Sequence, residues 1–238
     1  MLRFDLKSLR AAVTGLVLAA SFLPVIARAE SDNAQRGRQG STATAADTVA
    51  FSGRAYGAQV KVLVPVPSTR LYADTGLLAS AGGSISASLA SITDAAFSSG
   101  PTSCNSQGSS LLATSAATMV NLTAFAGTGA ALSCASVGSS TRAACDALTG
   151  STNISGLVFA GVSVVVTGAA NQTISIPGVA TLVINEHIVA SGSITVNALR
   201  LSLVSGDELT ICSTHSDIEC SPTPTRRDTW GAVKAMYR

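Results

Sequence analysis

Apolar and polar residues alternate along much of the chain in short stretches that end at proline or glycine. Residues 59–64 show this clearly, because valine occupies every second position in the period of two that is typical of a β-strand. Pro65 and Pro67 follow at once, and proline cannot donate a hydrogen bond to a neighbouring strand. The pattern therefore predicts a strand that begins near Val49 and ends before Pro65.

Four later segments repeat one arrangement, in which serine and alanine lead into a large aliphatic residue and then a turn marked by glycine. They begin at Ser86, Ser115, Ser151 and Gly192, and their starts are too unevenly spaced for a solenoid repeat. A further run from Asn171 alternates in the same way before a Pro-Gly turn. Each segment is typical of one strand in a strand-turn-strand unit.

A helical interpretation of this region fails, because no segment keeps apolar residues at i, i+3, i+4 and i+7 for three turns. Glycine and β-branched residues are frequent there, and both disfavour a helix. Short strands at intervals of roughly 8 to 12 residues, with turns between them, predict an all-β fold. We predict a β-sandwich of short antiparallel strands, with a β-solenoid-like stack as the alternative. Aromatic residues make up only 4% of the chain, so the core should be aliphatic and the sheets should approach closely.

The first 29 residues have the composition of a secretory signal peptide. Three basic residues precede a mostly apolar run at 11–26, and residues 27–29 form an A-x-A cleavage signal. The apolar run is shorter than the roughly 20 residues that a membrane-spanning helix needs, which favours cleavage after Ala29 over an uncleaved anchor. The mature chain is expected to have no transmembrane segment. Residues 30–48 are small and polar, and are expected to form a flexible leader.

Cleavage at this position changes the charge of the protein. It removes four basic residues and one acid from totals of 15 and 13, which leaves 11 basic and 12 acidic residues in the mature chain. The body at 49–220 holds five basic residues against eight acids, and the tail at 221–238 holds four against one. The body lacks the basic stripe with interleaved aromatics that is expected of a nucleic-acid-binding protein. We therefore expect no nucleic-acid partner.

The basic tail contains a candidate for a short C-terminal helix. Trp230, Val233 and Tyr237 have the i, i+3, i+7 spacing of one helix face, and Asp228 or Thr229 can cap its start. Two interpretations stay open. The segment either frays or packs on its own domain, or it acts as a sorting or docking tag.

All five cysteines lie in the part that is predicted to be exported, where thiols usually form disulfides. The short spacings make Cys134 with Cys145, and Cys212 with Cys220, the simplest pairs. Cys104 is then left over. Connectivity does not follow from sequence alone, so other pairings stay open. No C-x-x-C motif occurs, so the cysteines do not indicate a metal site.

The chain offers few residues for catalysis. Its two histidines, His187 and His215, lie in no catalytic motif, and no G-x-S-x-G element is present. His215 is near Asp207, Glu208 and Asp217 in sequence, and such a cluster binds a divalent metal if its side chains converge. These five residues define an alternative hypothesis, an extracytoplasmic ligand-binding or metal-dependent hydrolytic module. The favoured interpretation assigns no catalytic, cofactor-binding or metal-binding residue.

The stretch at 181–220 resembles a known signature. TLVINEHIV, followed by GSITVNALRLSL and GDELTICSTHSDIEC, is similar to the C-terminal part of the choice-of-anchor P family of exported bacterial proteins. VNLTAFAG from Val120 and STNISGLVFAGVSV from Ser151 resemble preceding segments of that family, so the likeness covers roughly residues 51–220. The resemblance implies a secreted or surface-displayed β-rich protein of undefined molecular role, without catalytic residues. The chain shows neither L-P-x-T-G nor an apolar helix followed by basic residues, so anchoring by those routes is not expected.

Together these observations predict a secreted or cell-surface protein that is not an enzyme and has a structural or adhesive role. Its partners are expected among cell-surface or matrix components, and no cofactor is expected.

Overall fold

The computed structural model describes residues 50–63 and 66–220. Within these ranges the chain forms fifteen β-strands. They are β1 (Phe51–Val62), β2 (Ser68–Tyr72), β3 (Gly83–Leu89), β4 (Ile92–Thr93), β5 (Phe97–Ser99), β6 (Thr102–Ser109), β7 (Leu112–Ala124), β8 (Leu132–Ala144), β9 (Ala147–Ser155), β10 (Val158–Phe159), β11 (Val162–Ser163), β12 (Gln172–Ile176), β13 (Ala180–Ala190), β14 (Ser193–Leu203) and β15 (Glu208–Ile218). The predicted signal peptide, leader and tail helix lie outside the described residues. The described part contains no helix with the length and apolar character needed to cross a membrane.

The strands pair in two antiparallel sheets. The six-stranded sheet has the order β12-β13-β14-β15-β1-β2. The centre of the nine-stranded sheet is β3-β6-β7-β8-β9, while β5 and β4 extend it from the end of β7, and β10 and β11 from the start of β8. β1 packs on β6 and β7, and β15 packs on β7 and β8. The predicted all-β sandwich is confirmed, and the antiparallel pairing excludes the solenoid-like alternative for the described residues.

The central strands are longer than the sequence pattern suggests, because their alternation reverses halfway. In β15 the residues that face the core are Leu209 and Ile211 before Cys212, but Thr214, Ser216 and Ile218 after it. Cys212 has a φ of 48°, in the left-handed region that non-glycine residues rarely adopt. One such residue turns the following side chains to the opposite face, as a β-bulge does.

The reversal runs across the four central strands of the six-stranded sheet as one line. Cys212 lies opposite Gly57 in β1 and Ala198 in β14, and Ala198 lies opposite Asn185 in β13, which has a φ of 53°. The nine-stranded sheet has a matching reversal at Asn121, also with a φ of 53°. Each long strand therefore has the sequence pattern of two short strands in opposite phase.

The core lies between the sheets in two clusters. The larger one is mainly aliphatic, and its largest fully buried side chains are Met119, Leu122, Leu132, Leu182, Ile184, Leu199, Leu201, Leu209 and Ile211. The smaller one lies at the opposite end and contains Phe51, Leu78, Ala113, Ala143 and Ile218. An aliphatic core of this kind is what the low aromatic content predicted.

Hydroxyl groups join the sheets between the two clusters. Ser139 Oγ donates to the Cys212 carbonyl at 2.7 Å, and Ser115 Oγ donates to the His215 carbonyl at 2.6 Å. The Thr141 and Ser216 hydroxyls lie 2.8 Å apart. Such bonds satisfy polar groups that burial would otherwise leave without a partner.

Two glycines show how closely the sheets approach. A Cβ at Gly57 would overlap the Thr102 methyl group, and a Cβ at Gly150 would overlap Val196. Both contacts cross from one sheet to the other, so no larger residue fits without moving the sheets apart. This agrees with the close sheet contact predicted from the small, aliphatic composition.

The disulfide pairing predicted from short spacings is wrong. Cys145 is bonded to Cys220, and their Cα atoms lie 5.7 Å apart. Cys134 and Cys145 lie at opposite ends of extended β8, about 35 Å apart along the strand, whereas a disulfide needs Cα atoms within about 7 Å. Extended β15 separates Cys212 from Cys220 in the same way. The Cys145–Cys220 bond closes the end of the sandwich. Disulfides are typical of oxidising compartments outside the cytosol.

Cys104, Cys134 and Cys212 are buried free thiols. Burial raises the pKa of Cys104 to about 12, with a further contribution from the charge of Asp74. Burial also raises the pKa of Cys134 and, more strongly, that of Cys212. Because the thiolate is the reactive form, these side chains should be inert in the folded protein.

We expect iodoacetamide at pH 8 to leave all three thiols unmodified in the folded protein and to alkylate all three in urea. Mass spectrometry of the intact protein counts the adducts. Ser109→Cys is a suitable control, because residue 109 is exposed at the end of β6 and its thiol should react without urea. Rapid alkylation of Cys104, Cys134 or Cys212 in the native state would contradict this account.

Candidate functional site

The five residues of the predicted metal-dependent module do not converge. Asp207 lies in the turn before β15, where it accepts the Leu63 amide at 2.8 Å and the Ser205 hydroxyl at 2.9 Å. Glu208 begins β15 and His215 lies about 23 Å further along the strand, since each residue advances the chain by about 3.3 Å. His187 is in β13, bonded to Asn185. The structure therefore does not bring these five side chains together.

His215 does form a local chain of hydrogen bonds on the outer face of the six-stranded sheet. Its Nδ1 lies 2.8 Å from Thr195 Oγ1, and its Nε2 lies 3.3 Å from Asp217 Oδ2. Acyl transfer by such a chain needs amide donors that stabilise an oxyanion. Thr195 and His215 lie in β14 and β15, which have a hydrogen-bonded strand on each side, so their backbone amides are used in the sheet. The arrangement orients the imidazole, and the backbone amides of Thr195 and His215 are not available as oxyanion donors.

Asn185 and Glu186 both lie within β13 and are buried. Glu186 accepts from Asn197 Nδ2 at 2.7 Å and pairs with Arg200 Nη2 at 2.6 Å. Asn197 Oδ1 and Arg200 Nε, both buried, have no hydrogen-bond partner. Pairing of a buried carboxylate with a guanidinium is the usual way to keep its charge in the fold, so we interpret this group as structural.

Two ion pairs stabilise β2 and the segments beside it. Arg54 binds Asp74 through two hydrogen bonds of 2.8 and 2.7 Å, which lowers the pKa of Asp74. At Asp94 burial acts to raise the pKa, but the hydrogen bonds from Tyr72 and the Ala96 amide, together with the charge of Arg70, bring it below its usual value. Asp94 is the better buried of the two, with 6% of its side chain exposed.

We expect the stability of the protein to fall as the pH drops below about 4. The folded-state pKa of Asp74 and Asp94 is lowered, so their stabilisation is complete above the unfolded-state pKa of about 3.9 and is lost as pH falls through the folded value. Each contributes about 1 kcal/mol or less, because the arginine partners are partly solvated. The difference between the urea midpoints at pH 7 and pH 3 should therefore be smaller for the double variant Asp74→Asn, Asp94→Asn than for the unaltered protein. Asp146→Asn is the control, and it should keep the full difference between the two midpoints. An equally reduced difference in that variant would contradict the assignment.

A pocket of about 950 Å³ lies beside the disulfide. Asp146, Asp217 and Glu219 line it, together with the apolar side chains of Phe51 and Ile218. Its three carboxylates do not converge, because within the described ranges no three His, Cys, Asp or Glu side chains come close enough to bind a metal ion. The pocket is therefore an acidic opening at the end of the core.

The nine-stranded sheet presents a different kind of surface, which we call the hydroxyl face. It consists of the outward side chains of β3, β6, β7, β8 and β9. These five strands contain no Asp, Glu or aromatic residue, and Arg142 is their one basic residue. Cross-strand register aligns serine, threonine, asparagine and glutamine in rows, such as Ser84, Gln107, Thr114, Arg142 and Thr149.

Sequence reasoning missed this face. The signal was present, because polar residues occupy alternate positions at 84, 86 and 88 and again at 149, 151 and 153. Each run alone is typical of any solvated strand face. Only the pairing of the five strands places the runs side by side.

No protein-family model matches the chain, and no curated relative matches it. Among solved structures, the attachment invasion locus protein Ail of Yersinia pestis is similar at 7% identity, over 71% of this chain and 96% of its own length, with a TM-score of 0.14. At that TM-score the likeness carries no argument about fold or function.

Proposed function

We propose that the chain is an exported protein that is not an enzyme and that acts by adhesion at the cell surface or in the surrounding matrix. The hydroxyl face is the observation that carries this proposal. It offers many neutral hydrogen-bonding groups on a broad sheet of five strands. A surface of this kind suits contact with an extended polar partner better than turnover of a small substrate.

Export is supported by two independent features. Residues 1–29 have the three parts of a signal peptide, and the Cys145–Cys220 bond is of the type that persists in oxidising compartments. The resemblance of residues 51–220 to the choice-of-anchor P family fits the same proposal. We therefore propose as well that the chain is a member of that family.

The lack of enzymatic activity is part of the proposal. Asp207 lies in the turn before β15, and His215 lies near the other end of that strand. The Thr195, His215 and Asp217 chain lies on strands whose amides are already paired. These positions support a structural role for both histidines.

The test starts from protein recovered outside cells of the organism that makes it. Amino-terminal sequencing should find Glu30 first. The same protein, labelled and added back, should bind whole cells or their extracellular matrix. Binding should survive His187→Ala together with His215→Ala, because neither histidine contributes to the hydroxyl face.

Two results would contradict the proposal. One is retention of the protein in the cytosol with residues 1–29 intact. The other is loss of cell binding in the double histidine variant accompanied by hydrolysis of a surface polymer in the unaltered protein, which would favour the hydrolytic module instead.

A further inference from the structure

A groove of about 400 Å³ crosses the hydroxyl face. Thr114 and Ala116 of β7 form its floor, where the small alanine side chain leaves the surface concave. Asn105 and Gln107 of β6 form one wall. Arg142 of β8 lies on the other wall, directly across from Thr114 in the register.

Four polar side chains that line this groove are not used by the fold. The side chains of Asn105, Gln107, Thr114 and Arg142 make no hydrogen bond to another residue that the structure describes, whereas hydroxyls on the inner side of the same sheet, such as Ser139, bond across to β15. Two amides and a guanidinium therefore converge on one groove with their donors free. Amides pair with hydroxyl groups as both donor and acceptor, which suits a sugar.

The charge of the groove is positive. Arg142 is exposed and forms no ion pair with a described residue. The five strands of the hydroxyl face contain no carboxylate that would repel an anion. A guanidinium is planar and presents paired donors, so it binds a planar carboxylate through two parallel hydrogen bonds. An anion at this position gains a charge-assisted contact in a surface that is otherwise neutral.

We infer that this groove binds an acidic polysaccharide, with Arg142 holding a sugar carboxylate while Asn105 and Gln107 bind the hydroxyl groups beside it. The inference rests on the proposed function and names the class of partner that the adhesive face takes. The absence of aromatic residues from these five strands means that binding relies on hydrogen bonds and charge, without stacking of sugar rings. One arginine is too little for a nucleic acid, whose binding proteins neutralise about 6 to 10 phosphates.

Affinity electrophoresis tests the inference. The exported chain is run in native gels that contain polygalacturonate, neutral dextran or dextran sulfate, and its retardation gives the affinity for each polymer. We expect polygalacturonate to retard the protein and dextran to have little effect. Arg142→Gln should weaken binding to polygalacturonate by about tenfold or more, because a hydrogen bond to a charged group is lost.

Three further variants separate the groove from general charge. Lys61→Gln removes one positive charge from an exposed position of β1, in the other sheet, and should leave the affinity unchanged. Arg142→Lys keeps the charge but loses the paired donors, so it should bind with intermediate affinity. Ala116→Gln keeps every charge but fills the groove floor, and it should also weaken binding. Unchanged urea midpoints confirm that each variant is folded.

Equal retardation by dextran, or an affinity unaffected by Arg142→Gln, would overturn the inference. So would binding to dextran sulfate that Arg142→Gln and Lys61→Gln weaken to the same degree, since this indicates simple ion exchange. Whole-cell binding distinguishes the two proposals. If cells retain the protein but polygalacturonate does not, the groove assignment fails and the adhesive function stands. If Arg142→Gln abolishes polygalacturonate binding but no cell retains the protein, the groove stands and the adhesive function fails.

Discussion

Replacing Cys145 and Cys220 by serine should lower the free energy of unfolding by about 4 kcal/mol. The bond joins residues with a sequence separation of 75, so it restricts a long loop of the unfolded chain. It also connects the end of β8 to the end of β15, one from each sheet. Urea unfolding of the oxidised protein and of the double variant measures the difference.

Two controls identify the bond as the cause. Reduction of the unaltered protein should lower its urea midpoint to that of the double variant. Cys134→Ala removes a buried sulfur that forms no disulfide, and it should cost about 1 kcal/mol through lost packing alone. A loss below 1 kcal/mol in the double variant, or an equal loss in Cys134→Ala, would contradict the pairing.

Replacing Leu199 by alanine should cost about 3 kcal/mol. Leu199 is fully buried, and it faces the larger core cluster because the alternation of β14 reverses at Ala198. Without that reversal, Leu199 would point to solvent and Arg200 would enter the core. The substitution therefore tests both the core and the phase of the strand.

Leu111→Ala is the matched control, since the same atoms are removed from a side chain that is 76% exposed. Its cost should stay within about 0.5 kcal/mol. Urea unfolding followed by circular dichroism compares both variants with the unaltered protein. Similar effects at the two positions would contradict the placement of Leu199.

The sheet class could be predicted from sequence because period-two alternation depends on local backbone geometry. The length of the strands could not. Cys212 and Asn185 adopt left-handed conformations within long strands, and each divides one regular pattern into two of opposite phase. A reader of the sequence takes such a break for a turn, and so predicts several short strands. The register of neighbouring strands reveals the continuous element.

The cysteine pairing failed for the same reason. Cys134 and Cys145 were placed in a local loop, yet β8 is extended between them. Distance along the chain predicts contact only where the chain turns back. Cys145 and Cys220 are far apart in sequence and meet because β8 and β15 end at the same side of the sandwich.

The candidate site was even less accessible to sequence reasoning. His215 and Glu208 belong to the predicted metal-binding cluster because they are close in sequence, but the extended strand β15 places them about 23 Å apart. The groove uses Asn105, Gln107 and Arg142, which come from two strands that do not pair with each other and meet across β7. Their convergence follows from sheet order, and no local spacing encodes it.

The Cys145–Cys220 bond closes the sandwich, and we propose that the chain is exported. A tryptic map of the secreted protein, made without reduction, tests both parts at once. We predict a first residue of Glu30 and a linked pair of peptides at 143–200 and 201–226, with the cysteines of peptide 71–142 free. A link between peptides 71–142 and 143–200, or an amino terminus that retains residues 1–29, would contradict the account.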